Sequence, residues 1–314
     1  MSKKEQYRIA GIGEVLWDIY HEERYLGGAP ANFAIHVSQL GDEGIVVSRI
    51  GNDGMGRELI RALKEKNLSD KYLQVDKHKG TGTVMITINV SGEPSFFCSK
   101  DVAFDYLQFT DDIKELAGQV DATVFGSLAQ RNEVSRQTIM NFLDHCTGLR
   151  IFDVNIRSAF MDFNEVLKAS LARSDILKAS EQEMELIKRS FHREGDKTIS
   201  FCRFLMEKYD LKLVALTRGH EGAALILPDE VLSQPALPIK VVDTTGSGDA
   251  FTAAFVHGYL RRQPLDKILS FANLLGAYVC TQRGATPEVT YELLEKFEAR
   301  VRASSQKTAG EWQK

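Results

Sequence analysis

Apolar residues recur along this 314-residue chain with two periods that take turns. Residues 7–13 form a short, nearly continuous apolar run of strand length. Residues 29–40 instead place Phe33, Ala34, Val37 and Leu40 on one helical stripe, with Pro30 in the first turn, where a missing N–H does no harm. A second strand is expected at 44–50 and a second helix at 55–65, on Met55, Leu59, Ile60 and Leu63. From Asp121 the alternation becomes regular. Strands at 122–126, 150–154, 175–178, 213–217 and 223–227 are interleaved with helices at 133–146, 164–172, 181–188 and 197–209. A strand at 239–242 then leads through a glycine turn into helices at 250–260, 265–280 and 291–302. Strands separated by helices imply an α/β fold with a mostly parallel sheet and helices on both faces.

Residues 72–104 break this rhythm. Thr81-Gly-Thr-Val-Met-Ile-Thr-Ile-Asn-Val alternates like a strand, followed by a Ser91-Gly92 turn and then Ser95-Phe-Phe-Cys-Ser. Hairpin patterning without intervening helices, taken with residues 18–26, predicts a small β-sheet lid over the main domain. Phe96, Phe97 and Phe104 then face either a partner or a substrate. The segment from Ala303 to the end has no core periodicity and is expected to fray.

Composition narrows the function classes. Hydrophobic content of 43% and charged content of 26% are those of a soluble globular protein. A formal net charge of −4 without a Lys/Arg cluster argues against a nucleic-acid partner. Cys98, Cys146, Cys202 and Cys280 are isolated in sequence, which suits buried free thiols in a reducing compartment. No apolar run approaches the roughly 20 residues of a membrane span, and the first apolar run is too short for a signal peptide core. The expectation is a cytoplasmic protein with no membrane partner.

The chemistry concentrates in Asp243-Thr-Thr-Gly-Ser-Gly-Asp249, a glycine turn opening into an apolar helix. Unpaired N–H groups at such a helix start, together with the dipole, favour an anion. Asp249 in the first turn stands either as a helix cap or as a base beside that anion. Neither glycine pair completes a dinucleotide fingerprint: the third glycine position is Phe251 after Gly246 and Gly248, and Leu16 after Gly11 and Gly13. No Gly-x-x-x-x-Gly-Lys-Ser/Thr loop occurs. Asp18 leaves the first strand toward the side where ligands collect in α/β sheets. Alternation is expected to put Asp153, Asn155 and Arg157 on one side of a strand end. Ser180 and Glu183 have the spacing of a capping box.

Residues 243–256 resemble the C-terminal signature of the ribokinase-like (PfkB) carbohydrate kinases. Gly27-Gly28-Ala29-Pro30-Ala31-Asn32-Phe33-Ala34, followed by Gly41 and Gly51, resembles the same family's N-terminal signature. The resemblance runs from about residue 7 to about residue 299. It implies a ribokinase-like three-layer domain over residues 1–302, with a mostly parallel central sheet flanked by helices. The lid would comprise residues 14–28 and 80–106, and the tail residues 303–314.

It further implies ATP as phosphoryl donor, Mg²⁺, and a sugar substrate. Asp249 would be the base, with the N–H groups of Gly246, Ser247, Gly248 and Asp249 as the anion hole and Arg157 near the transferred group. Asp18, Gly28 and Asn32 would grip the sugar. Ser180 stands where the family usually has Asn, and Glu183 keeps the carboxylate that orders the metal through water. Thr217, Gly219 and Gly222 correspond to a phosphate and ribose turn, and Asn273 and Gly276 to the adenine contact. Asp243, Thr245 and Gly284 match a monovalent-cation site, in many relatives for K⁺. The lid often supplies a homodimer contact. Gly-Gly-Ala-Pro-Ala-Asn, Gly13-Glu-Val-Leu-Trp-Asp18 and Phe125-Gly-Ser-Leu-Ala-Gln are closer to fructokinases than to ribokinases. Another ketose, ribose, 2-keto-3-deoxygluconate, a nucleoside, or an idle sugar-binding role on the same fold are the alternatives.

Overall fold

Arg8–Ile12 is β1, and its alternating side chains set the layer plan. Ile9 enters one apolar core while Ala10 and Ile12 enter the other, because successive strand side chains point to opposite faces. The computed structural model describes residues 4–20, 23–88, 94–156 and 163–311. After β1 come β2 (Leu16–Tyr20), β3 (Glu23–Gly27), α1 (Ala29–Gln39), β4 (Glu43–Gly51), α2 (Gly54–Glu65) and β5 (Leu73–Asp76). Next are β6 (Gly82–Ile88), β7 (Pro94–Cys98), α3 (Asp111–Ala117), β8 (Ala122–Phe125), α4 (Glu133–His145) and β9 (Leu149–Asp153). The chain continues through α5 (Phe163–Leu171), β10 (Ile176–Ser180), α6 (Glu181–Ser190), α7 (Thr198–Tyr209) and β11 (Leu213–Thr217). It ends with β12 (Ala223–Ile226), β13 (Val231–Gln234), α8 (Ser247–Leu260), α9 (Leu265–Cys280) and α10 (Tyr291–Glu311).

Nine strands form the main sheet in the order β13-β12-β11-β10-β9-β8-β1-β4-β5. All neighbours from β11 to β5 are parallel, and β12 and β13 close the far edge as antiparallel strands. One face carries α1, α8, α9 and α10 on a core that includes Phe33, Phe255 and Leu275. The other carries α3 to α7 on a core that includes Phe142, Leu167 and Leu205. Phe125 and Phe152 stack at 5.2 Å between ring centres in that second core, both fully buried. This pair anchors the end of β9 next to Asp153, and truncating Phe152 to Ala would cost about 3–5 kcal/mol.

The lid is a separate four-stranded sheet, β3-β2-β6-β7, with β2 and β6 parallel and both edges antiparallel. Two polar clasps tie it to the body. Thr81 donates its N–H and hydroxyl to Asp53, at 2.8 Å each, where the chain enters β6. Where it leaves β7, Arg131 donates to Asp105 and to the Ser99 carbonyl.

Several expectations are corrected. The strand expected at 239–242 is absent: Val241 and Val242 are exposed, and the edge position is taken by β13, which the pattern did not reveal. β5 belongs to the main sheet rather than the lid, and α3 was not anticipated. Phe104 faces neither partner nor ligand but is fully buried, on a short helical turn that returns to the body. Phe97 is 64% exposed on β7, and the Phe96 side chain lies outside the described residues. Among the described residues, no helix is long and apolar enough to cross a membrane.

Candidate active site

The N-terminus of α8 is built around Gly246, whose φ of 75° lies in the left-handed region that favours glycine. Its α-carbon also presses on the next loop, since an added Cβ would sit 2.5 Å from the Ala285 carbonyl oxygen. Ser247 turns back on this loop, donating its N–H and its hydroxyl to the Thr244 carbonyl at 3.3 and 2.8 Å. The first bond within the helix is Ala250 N–H to the Gly246 carbonyl, at 2.9 Å. The N–H groups of Gly248 and Asp249 therefore have no acceptor inside the helix. They border a cavity of about 300 Å³ whose near wall is Thr244, Thr245, Gly246, Gly248 and Asp249.

The Asp249 carboxylate accepts one hydrogen bond, 2.9 Å, from the Asn32 amide on α1. Burial pushes its pKa up to about 7, and the nearby charges of Asp153 and Glu14 push the same way. The Asn32 bond and the Lys178 ammonium pull it back only in part. Asn32 was expected to hold a sugar, and the geometry gives it a second task, orienting the carboxylate. Below Asp249 lies a buried ion pair, Lys178 Nζ to Asp153 Oδ1 at 2.9 Å, with side chains only 10% and 5% exposed. The Thr252 hydroxyl stands 2.9 Å from both Asp153 Oδ2 and the Gly248 carbonyl, joining the pair to α8. Burial works against the Lys178 charge, but Asp153 and Glu183 overcome it and hold its pKa above the ordinary value.

Lys178 was not anticipated as a site residue. The available signal was a lysine inside the otherwise apolar strand Ile176-Leu-Lys-Ala179. Asp153 and Asn155 both line the cavity, although not by strand alternation: β9 stops at Asp153, and Asn155 has a left-handed φ of 39°. Arg157 lies outside the described residues.

The opposite wall belongs to the lid and to the start of α1. Asp18, Gly28, Ala29 and Asn32 meet there with Glu14, a buried carboxylate that the sequence reading had passed over. Gly28 has a φ of 100°, and a Cβ on it would lie 2.6 Å from the Glu14 carbonyl oxygen. On Gly27 a Cβ would lie 2.2 Å from Asp18 Oδ2, so the glycine pair makes room for that carboxylate. Leu16, Val84, Cys98 and Leu128 supply an apolar side. The Gly11 and Gly13 pair is explained by packing, since a Cβ on either would strike Pro30.

Glu183 also borders the cavity while completing the capping box of α6. Its Oε2 accepts from the Ser180 N–H at 2.7 Å and the Ser180 hydroxyl at 2.9 Å, and its Oε1 accepts from Ile156 N–H at 2.8 Å. Among the described residues no three His, Cys, Asp or Glu side chains converge as a metal site. That donor set fits a magnesium ion that arrives with nucleotide phosphates and keeps its waters, with Glu183 as a fixed charge nearby.

Of the residues expected on the nucleotide side, Gly248 lines the cavity and the others lie outside it. Thr217 ends β11, Gly219 and Gly222 have φ of 54° and 98°, and Gly222 packs against the Gln234 carbonyl of β13. Asn273 on α9 donates to the same carbonyl at 3.5 Å. Gly276 on the same helix lies against α8, where an added Cβ would stand 3.2 Å from the Ser247 carbonyl oxygen. Asp243 straps two loops together, accepting from Thr245 N–H at 2.9 Å and Gly284 N–H at 3.0 Å.

Comparison with known proteins bears on this geometry. The chain matches the pfkB family of carbohydrate kinases over residues 6–290. An uncharacterized sugar kinase from Pyrococcus horikoshii superposes with a TM-score of 0.78 at 34% identity, over 93% of this chain and 98% of that one. The same protein is known in complex with ATP. A fructokinase of Klebsiella pneumoniae is 32% identical over 85% of this chain and 89% of its own. An ATP-dependent 6-phosphofructokinase of Thermoanaerobacterium thermosaccharolyticum is 31% identical over 90% of each chain. The expected ribokinase-like α/β architecture is present. Because the match runs across nearly the whole chain and both signatures fall at the cavity, the protein belongs to the pfkB family of carbohydrate kinases and is an ATP-dependent sugar kinase.

Proposed function

We propose that the protein transfers the γ-phosphoryl group of ATP to a hydroxymethyl group of fructose. The observation that carries this reading is the Asp249 carboxylate, held by Asn32 beside free helix N–H groups, with a pKa raised to about 7. A base poised near the working pH suits proton abstraction from a hydroxyl. As the sugar oxygen bonds to the γ-phosphorus, its proton passes to Asp249, and the bond to the bridging oxygen breaks to release ADP. The N–H groups of Gly248 and Asp249 are aimed at the phosphoryl oxygens, with Gly246 shaping the turn and Ser247 bracing it on Thr244. Asp18, Gly28 and Asn32 hold the sugar. Ser180, Thr217, Gly219, Gly222, Asn273 and Gly276 frame the nucleotide side. Glu183 would order a magnesium ion through water, and that ion would supply charge neutralisation. A monovalent cation between the loops of Asp243, Thr245 and Gly284 would stiffen the anion hole.

Fructose is favoured by Ala29 and Pro30 in the first turn of α1, where ribokinases carry Lys-Gly. Pro30 locks this turn onto β1, and Ala29 leaves an uncharged wall. The deciding experiment measures ADP release with fructose, ribose, glucose, 2-keto-3-deoxygluconate, adenosine and fructose 6-phosphate. The expected result is the highest kcat/KM for fructose. A tenfold advantage for any other acceptor, about 1.4 kcal/mol of discrimination, would replace fructose and leave the kinase. Sugar binding without ADP release on any acceptor would instead favour an idle binder.

The lid also carries the proposed homodimer contact. Met85 and Phe97 face each other across β6 and β7, 41% and 64% exposed, while their neighbours Val84 and Cys98 turn inward to the cavity. Phe97→Glu should yield monomers in sedimentation if this face pairs two copies.

A further inference from the structure

Lys178 has no part in the reaction as described so far, yet it lies at its centre. Its ammonium is buried on the cavity wall, and a Cβ on Gly248 would stand only 3.0 Å from Nζ. With a Cα–Cβ bond of about 1.5 Å, Nζ lies within about 4.5 Å of the Gly248 α-carbon. The helix N–H groups and this cation therefore converge on one small volume. Glycine at 248 is needed to admit the lysine head as well as to expose the backbone.

The donor count points the same way. An ammonium has three N–H donors, and among the described residues one of them is given, to Asp153 Oδ1. Asp153 is itself braced by Thr252, so the ion pair is tied to the same turn of α8 that presents Gly248. A lysine kept only to neutralise a buried carboxylate would gain nothing from facing the cavity. An anion seated on the Gly248 and Asp249 N–H groups would meet its two remaining donors.

Resting on the kinase reading above, we infer that Lys178 is a catalytic residue whose ammonium binds the phosphoryl group during transfer, with Asp153 as the residue that positions it. Charge spreads over the γ-phosphoryl oxygens while the bond to the sugar oxygen forms and the bond to ADP breaks. A fixed cation at that point stabilises the transferring group more than the bound substrates. Arg157, to which the sequence reading gave this charge, lies outside the described residues.

The test is a double-mutant cycle of Lys178→Met and Asp153→Asn, followed by ADP release with ATP and the preferred sugar of the panel. Thermal melts and calorimetric titration of that sugar without nucleotide accompany it. Lys178→Met should lower kcat about 10²–10³-fold, as loss of one transition-state donor does, and leave sugar affinity within about threefold. The decisive protein is the double variant, which restores charge balance in the buried pair and should fold even if Lys178→Met does not. If the lysine serves the phosphoryl group, the double variant stays at least about 10²-fold slow. Recovery to within tenfold of the parent would show that Lys178 only neutralises Asp153, and would overturn the inference. A parent protein that released no ADP with any acceptor would overturn the kinase reading itself.

Discussion

The helix α8 ends in a buried carboxylate cluster on each side, and the two are satisfied very differently. At its C-terminus, His257 and Arg261 clasp Asp42. The Asp42 carboxylate accepts from His257 Nδ1 at 2.7 Å, from Arg261 twice at 2.8 Å, and from the Tyr7 N–H at 2.9 Å. Burial pushes its pKa up, but these donors outweigh it and bring it to about 2. At the N-terminus, Asp249 borders the cavity with Asn32 as its side-chain donor, and its pKa climbs to about 7. The helix dipole favours a carboxylate at the N-terminus and opposes one at the C-terminus, the reverse of these shifts, so it cannot explain the contrast. Donor supply does. A carboxylate with a structural task is saturated with partners, whereas one left short of them holds a proton near neutrality and can exchange it.

The largest expected effect separates the two by activity. Asp249→Asn should lower turnover about 10²–10⁴-fold while keeping sugar affinity, because the amide can still accept from Asn32 and hold the helix start. It should not lower stability at pH 8. A raised carboxyl pKa means the native state binds more protons than the unfolded chain between about 3.8 and 7, so ionisation destabilises the fold as pH rises through that window. At about 1.4 kcal/mol per unit, the asparagine recovers at most about 4 kcal/mol above pH 7. Melts at pH 5 and pH 8 would check this. A variant with parental turnover would reduce Asp249 to a cap.

Asp42→Asn should do the reverse. It strands His257 and Arg261 without their counter-charge, at a cost of about 3–5 kcal/mol, toward the low end because Arg261 is 22% exposed. Turnover of the folded variant should stay within twofold of the parent, on the order expected when no transition-state contact is lost. Denaturant unfolding measures the first quantity and steady-state rates the second. Equal losses of stability and turnover would mean that the two ends of α8 are coupled.

The pH profile sharpens the contrast further. The acid limb of kcat/KM should fall near pH 7, where Asp249 loses its proton in the free enzyme. Asn32→Leu removes a bond that favours the ionised form, so the limb should move upward. Asp42→Asn should leave it in place. Because the Asp42 pKa is depressed, its stabilisation is complete above pH 3.8 and disappears only as pH falls through about 2.

These contrasts also mark what the sequence could convey. The parallel core, α1, α8 and the lid hairpin were legible because their apolar spacing is strict, and the glycine turn at 246–248 because few other functions need it. The strand expected at 239–242 was misread because Ile-Lys-Val-Val has strand composition, yet no neighbour offers it a ladder and its valines are exposed. β13, Val-Leu-Ser-Gln, carries almost no pattern and exists because β12 presents an open edge. In the site, single carboxylates could be nominated from position. The partnerships of Asn32 with Asp249 and of Lys178 with Asp153 span 217 and 25 residues, and no local spacing encodes them. Gly276 fits both a ring contact and helix packing against α8, because a small residue serves either purpose.

Glu183 stands between the two classes of carboxylate, and it carries the smallest effect. Both of its oxygens accept backbone N–H groups, from Ser180 and from Ile156, as a saturated structural carboxylate would, yet it borders the cavity. In Glu183→Gln one backbone N–H loses its acceptor and meets an amide NH₂ instead. The capping role thus predicts a stability loss of about 1 kcal/mol, typical of a damaged cap, with no change in metal dependence. A role in ordering magnesium through water predicts in addition that the magnesium concentration for half-maximal rate rises about tenfold, within the range of outer-sphere losses. Ser180→Asn is the companion variant, since Asn caps as well as Ser. It should leave stability unchanged and the magnesium midpoint unchanged or lower. Magnesium titrations of initial rate at saturating ATP and sugar, beside thermal melts, read both quantities in the same proteins. A destabilised Glu183→Gln with an unshifted midpoint would assign this carboxylate to the structural class with Asp42. A shifted midpoint would show that a saturated carboxylate can still serve the site through water, by its charge rather than by a free lone pair.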